Sequence, residues 1–365
     1  GVGLYVIRGN HEDDVNNGLS TWDAFFSGAY AMPANGPDGE TGHTYAFTCE
    51  NALFVALDNY TNIHRVNQAW LDPLLAANTR PHLFVFGHEA AFKTFHTDIL
   101  DDYPDARDEF WQSLTGAGAK VYLCGHDHLL NVARIDDGDG DPSDDLQQWV
   151  VGTGGSTNWA GRAYNYNGSN GAYTPVNVHS VTNTFGYLLV EVGGPGAADR
   201  GVTMTWKKRT FDAATGAYLY VATPQTLAYT APDPLQDSVG DGIPDRWRRL
   251  MFGGGGASTN QLSCTTCDPD LDGADNLAEF LAGTNPTNDQ SRLSLRLDTD
   301  LSGAAATFPT SVNRRYTLQS NTNLVTGVWS ADPAQTALPG TGLPLSLPVS
   351  TGPTNLFLRV GADLP

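Results

Sequence analysis

The sequence predicts an α/β fold over residues 1–212, a layered sheet covered by helices, then a small acidic loop segment at 237–290 and a β-sandwich at 291–365. Three observations predict it. Runs of strand formers at Ala52 to Leu57, His82 to Phe86 and Lys120 to Leu123 each end at a polar or glycine-bearing loop. Between them, Gln68 to Leu75 and Asp108 to Leu114 carry apolar residues three and four apart, as core-facing helices do. Such alternation of β and α units implies one sheet with helices packed on it. Beyond about residue 291, short runs such as Tyr316 to Gln319 and Leu356 to Val360 sit between Pro, Gly, Ser and Thr clusters, the pattern of small sandwich strands.

In chain order, Gly1 to Ile7 already read as a strand, with no initiator Met or apolar signal segment before them, so the natural N-terminus is expected upstream. The stretch 213–236, with Ala222-Thr223-Pro224 and Ala231-Pro232-Asp233-Pro234, reads as a linker. Residues 237–290 are rich in Asp and Gly and hold two short helical segments. At 365 residues the chain is about 2.4 times the usual 150-residue domain, so several domains are expected. Its 40 acidic and 20 basic residues leave a net charge of −20 at pH 7, a field that repels nucleic acids and anionic membranes. No nucleic-acid partner is therefore expected. No run of 18 apolar residues occurs, so no transmembrane segment is expected.

Four cysteines are too few for a disulfide scaffold. Cys124 ends an apolar run and reads as a buried thiol. Cys264 and Cys267 form a C-x-x-C without a second pair, which favours a local disulfide or two free thiols over a zinc site.

Three short motifs follow predicted strands: Gly9-Asn10-His11-Glu12, Val85-Phe86-Gly87-His88 and Gly125-His126-Asp127-His128. Strand ends of an α/β sheet form one rim, so residues distant in sequence meet there. Imidazoles and an amide oxygen suit transition metals, and a G-H-x-H turn puts two imidazoles on one loop. In order and spacing these motifs resemble the calcineurin-like metallophosphoesterase superfamily, and the G-N-H-E and V-x-x-H forms are close to its purple acid phosphatase branch. The likeness covers roughly residues 1–210, with Gln68 to Leu71 and Gly152-Thr153-Gly154-Gly155 as supporting features. It implies a metallophosphoesterase-type sheet sandwich. It also implies that Asn10, His88 and His126 hold one metal of a dinuclear pair, that His128 belongs to the other, and that His11 is the catalytic acid or phosphate-contacting residue. Two ions of iron, zinc or manganese about 3.5–4 Å apart would then activate water for attack on a phosphate ester.

By the same resemblance, the first two family motifs, with the carboxylate that bridges the metals, would lie upstream of Gly1. The isolated chain is therefore expected to lack substantial phosphatase activity. Gly140-Asp141-Pro142-Ser143-Asp144 matches the second motif by spelling but lies in the acidic run Asp136 to Asp145, which reads as a solvated hairpin loop. His43, His64, His82, His96 and His179 fit no motif and read as surface or core residues, with His64 and His96 nearest the cleft by position.

Asp268-Pro269-Asp270-Leu271-Asp272-Gly273 and Glu279 satisfy D-x-D-x-D-G-x5-E, a loop of the EF-hand type. Asp268, Asp270, Asp272, Asn276 and Glu279 are its candidate Ca²⁺ ligands, and Gly283 ends the helix that follows. Asp237, Asp241 and Asp245 form a partner loop with Val239 at position 3 and Arg248 at position 12, so weak or absent binding is expected there. The pair resembles dockerin-like or thrombospondin type 3-like calcium repeats of exported bacterial proteins, which implies an extracellular, secreted or cell-surface location. The terminal module resembles small β domains of such proteins and is expected to anchor the chain to a cell surface or polysaccharide. Its Tyr316 and Trp329 read as paired core aromatics, with a sugar platform as the alternative. The preferred function is an exported metal-dependent phosphoric ester hydrolase; the rival is a non-catalytic extracellular binding or surface-structural protein with an inactive phosphoesterase-like domain.

Overall fold

The computed structural model describes residues 3–13, 18–155, 171–193, 200–300, 303–349 and 355–365. The chain divides into two compact units, one of residues 1–68 and 81–233, the other of 69–80 and 234–365. No helix among the described residues is long and apolar enough to cross a membrane.

The first unit is built on a seven-stranded sheet of order β1-β2-β3-β4-β6-β5-β7. Its strands are β1 (Tyr45–Cys49), β2 (Ala52–Leu57), β3 (His82–Gly87), β4 (Val121–Cys124), β5 (Leu130–Asp136), β6 (Leu146–Val151) and β7 (Thr174–Val181). β2, β3, β4 and β6 run parallel, and the remaining pairings are antiparallel. A second, antiparallel sheet of β8 (Gly186–Val192), β9 (Gly201–Asp212) and β10 (Ala217–Thr230) faces the first. Between them Phe84, Val121, Val132 and Trp149 meet Val202 and Met204, while Leu188, Val190 and Tyr229 close the layer. Near-continuous apolar runs, as in Ala52–Leu57, suit parallel strands covered on both sides. The helices of the first unit are α1 (Gly18–Phe25) and α3 (Pro104–Gly116), while α2 (Gln68–Ala76) belongs from residue 69 on to the second unit; α3 starts with Pro104, whose fixed φ and missing N–H cost nothing in a first turn.

Two expectations differ from this structure. Gly1 and Val2 lie outside the described residues, and Gly3 to Ile7 join no ladder. The segment is held by side chains instead: the Tyr45 hydroxyl donates to the Val6 carbonyl at 2.7 Å, and Tyr5 stacks on Phe47. Most of the stretch read as a linker is the 14-residue strand β10, whose alternating β-forming residues pair along β9.

In the second unit, α4 (Asp245–Phe252) and α5 (Asn276–Ala282) follow the two acidic loops, and Ile243, Trp247 and Phe280 pack with Ala76 of α2. The remaining strands are β11 (Arg296–Asp300), β12 (Gly303–Phe308), β13 (Arg315–Asn321), β14 (Ser330–Ala331), β15 (Leu338–Pro339), β16 (Leu345–Val349) and β17 (Phe357–Asp363). They form a β11-β12-β16 sheet and a second sheet centred on β13. Ala306, Phe308, Tyr316, Leu318 and Leu347 make their shared core. Tyr316 is thus a core aromatic packed on Phe308 at 5.7 Å, whereas Trp329 lies under the Arg359 guanidinium at 4.4 Å.

Candidate metal centre

The three motifs converge at the carboxyl ends of β3 and β4, the rim where open parallel sheets bind ligands. His88 directly follows β3. The Gly125 N–H donates to the His88 carbonyl at 2.9 Å, which ties the G-H-x-H turn to that strand end. His126 takes a left-handed backbone, φ 62°, unusual for a residue with a Cβ and a mark of local strain. The turn also depends on Gly152, because a Cβ there would stand 1.9 Å from the Asp127 carbonyl oxygen.

The G-N-H-E turn is fastened from behind. Arg8, 2% exposed, donates Nε and Nη2 to the two oxygens of Asp58 at 2.6 and 2.7 Å. Asp58 also accepts from the Thr61 amide and hydroxyl, so its carboxylate is fully engaged. Burial raises its pKa, but the bonds from Arg8 and Thr61 outweigh this and hold the carboxyl below its ordinary value. Glu12 closes the turn by accepting the Gly9 N–H at 2.7 Å. Gly9 itself lies against His88, where a Cβ would be 2.7 Å from Cε1 of the ring.

These contacts bring Asn10 Oδ1 to 3.2 Å from His88 Nε2, and the His88 and His126 rings to 5.2 Å between centroids. Burial, followed by the fields of His126, His11, His128 and His96, pushes the His88 pKa down to about 3. His126 is lowered as well, by burial and His96. Its buried Nε2 has no hydrogen-bond partner; the nearest carboxylate oxygen, of Asp98, is 3.6 Å away. Neutral imidazoles with free lone pairs are the form that binds metal.

His96 joins the centre, with its ring centroid 4.3 Å from that of His126 and Nδ1 2.7 Å from Asp127 Oδ1. Asp127 is itself oriented by the Phe95 and His96 amides. Asn59 is a further supporting residue, accepting the His88 and Glu89 amides on one oxygen at 3.0 and 3.1 Å. Glu89, fully buried, pairs with His64 Nδ1 at 2.8 Å, and burial pushes its carboxyl up to about 9. His82 is buried at the start of β3, His43 pairs with Asp23, and His179 lies in β7.

Among the described residues, two groups of three or more His, Cys, Asp or Glu place ligand atoms within 4.8 Å of one another: Asp136, Asp137 and Asp145, and Asp268, Asp270 and Asp272. Asn10, His88 and His126 are not among these groups. The Asp136–Asp145 run is the β5–β6 hairpin loop, where successive aspartates accept amides two residues on. Cys264 and Cys267 form a disulfide, and Cys124 is buried.

No protein-family model matches the chain, and no curated protein does. Among solved structures, "GAP50 the anchor in the inner membrane complex of Plasmodium" aligns with 52% of this chain at 14% identity and a TM-score of 0.30. PhoD aligns with 57% of it at 15% identity and a TM-score of 0.36. The chain spans 53% and 46% of those two structures, respectively.

Proposed function

We propose that the rim of the first unit is the metal centre of an exported, metal-dependent phosphoric ester hydrolase. One observation carries the reading: Asn10, His88 and His126 gather with His11, His128 and His96 at the ends of two parallel strands, with His88 held neutral. The donor set fits a transition metal, because the buried His126 Nε2 makes no hydrogen bond and Asn10 Oδ1 already faces His88 Nε2. Iron, zinc and manganese all accept imidazole and oxygen ligands. When bound, such ions supply Lewis acidity and a water of lowered pKa.

The chain's own residues have separate parts. Asn10, His88 and His126 would hold one ion, and His128 belongs to a second. His11, exposed beside Asn10, would contact phosphoryl oxygens or a leaving group. Asp127 holds Nδ1 of His96 and so fixes the orientation of its ring beside His126. The Cys264–Cys267 disulfide supports an oxidising, extracytosolic location. In this reading the C-terminal strands serve attachment to a cell surface or polysaccharide.

Loading the chain with zinc and titrating inorganic phosphate tests this function. Phosphate is expected to bind only with metal present, and His126→Ala is expected to lose both. Metal uptake without phosphate recognition would instead support the non-catalytic surface protein.

A further inference from the structure

The two acidic loops of the second unit follow the same twelve-position pattern, yet their carboxylates are in opposite states. In the second loop Asp268, Asp270 and Asp272 each spend one oxygen on a loop amide, of Gly273, Asp272 and Ala274 respectively. Their other oxygens, Asp268 Oδ1, Asp270 Oδ2 and Asp272 Oδ2, are buried with no partner. Glu279, at position 12, is 0% exposed, and its Oε2 is likewise without a partner. The three aspartates place ligand oxygens within 4.8 Å of one another. The Glu279 Oε1 accepts the Thr284 hydroxyl at 3.2 Å, which leaves Oε2 as the open oxygen. Four carboxylate oxygens, one on each residue, buried without donors need a cation.

In the first loop every carboxylate oxygen has a donor. Asp237 accepts the Gly240 and Gly242 amides at 2.8 and 2.7 Å. Asp245 accepts the Ser238 amide and hydroxyl. Asp241 accepts the Thr265 hydroxyl at 2.6 Å and pairs with the Arg248 guanidinium. Arg248, at position 12 and 1% exposed, also donates to the Ile243 and Ser263 carbonyls at 3.0 and 3.2 Å. The two loops otherwise turn alike, with Gly242 at φ 91° and Gly273 at φ 95°.

We propose that residues 237–279 hold a single Ca²⁺, on Asp268, Asp270, Asp272 and Glu279, and that in the first loop the Arg248 guanidinium takes the cation's place. Oxygen ligands of this number and charge select calcium over zinc or iron. The ion has a structural consequence. Glu279 sits on α5, whose last carbonyls are held from the other end: Leu281 O accepts from Arg314 Nε at 2.9 Å, Phe280 O from the same guanidinium, and Ala282 O from the Tyr316 hydroxyl at 3.1 Å. Calcium at one end of α5 and Arg314 at the other fix the helix to the β13 sheet, so calcium raises the melting temperature of this unit.

The test is calorimetric titration of Ca²⁺ into the chelator-stripped full chain, read as the difference between wild type and each of two variants. Glu279→Gln is expected to lose one equivalent of uptake together with the calcium-induced rise in melting temperature. Asp237→Asn is expected to lose neither. Loss of an equivalent in Asp237→Asn, or full uptake in Glu279→Gln, would overturn the proposal. Asp270→Asn repeats the first arm should Glu279→Gln fail to fold, and full uptake in it counts equally against the assignment.

Discussion

Truncating Asp58 to alanine should loosen the G-N-H-E turn. Its carboxylate is 0% exposed, receives two charged hydrogen bonds from Arg8 and sits 50 residues from that arginine in sequence. Without it, Arg8 keeps the Thr61 hydroxyl at 3.0 Å and Asp13, whose side chain is 48% exposed. Removing one partner of a buried pair strands the other charge, at a cost of about 3–5 kcal/mol. The exposed pair with Asp13 stabilises by about 0–1 kcal/mol. With a urea slope of at most about 3 kcal/mol per M, Asp58→Ala should lower the first unit's unfolding midpoint by about 1 M or more, and Asp13→Ala by much less. Urea titration followed by near-UV circular dichroism reads both. Equal shifts for the two variants would refute the claim that the buried pair fastens the turn.

Three further outcomes follow from the same contacts. Gly9→Ala drives a Cβ into the His88 ring and should cost about 1–3 kcal/mol and weaken zinc binding, whereas Gly154→Ala, with open space around it, should leave zinc affinity unchanged in competition titrations. Asn59→Ala leaves the His88 and Glu89 amides without their acceptor, so thermal unfolding should show a loss of about 1–3 kcal/mol per stranded donor. Because the Asp58 pKa is lowered on folding, its stabilisation is present above the unfolded carboxylate pKa of about 3.9 and is lost as pH falls through the depressed folded value. Urea midpoints of wild type and Asp58→Asn should therefore differ at neutral pH and converge in acid.

The parts of this structure legible in the sequence are those with local signals. Ala52–Leu57, His82–Gly87 and Val121–Cys124 are strands because strand formers run unbroken to a glycine or polar loop, and His88 and the G-H-x-H motif sit at the ends of the last two for the same reason. β10 was masked by Pro224, which argues against a strand. It is accommodated because β10 is an edge strand and its register with β9 shifts between Ala222 and Thr226, which absorbs the missing N–H. The opening segment has strand composition but spends a carbonyl on the Tyr45 hydroxyl rather than on a ladder. Arg8–Asp58, His64–Glu89 and His96–Asp127 span 25 to 50 residues and leave no periodic trace, so only folding brings them to the rim. Arg248 is the intermediate case. Its position in the first loop marks that loop as altered, while its bonds to Asp241 and the Ile243 and Ser263 carbonyls appear only in the structure.

Zinc titration of the full chain against the His88→Ala and His126→Ala variants bears most directly on the metal centre. Wild type should take up zinc through imidazole, with the His Nε2 signals shifting in nitrogen-15 spectra, and each variant should lose that uptake while keeping its fold by circular dichroism. Unchanged zinc uptake in both variants, or none in the wild type, would contradict the assignment of this rim as a metal centre.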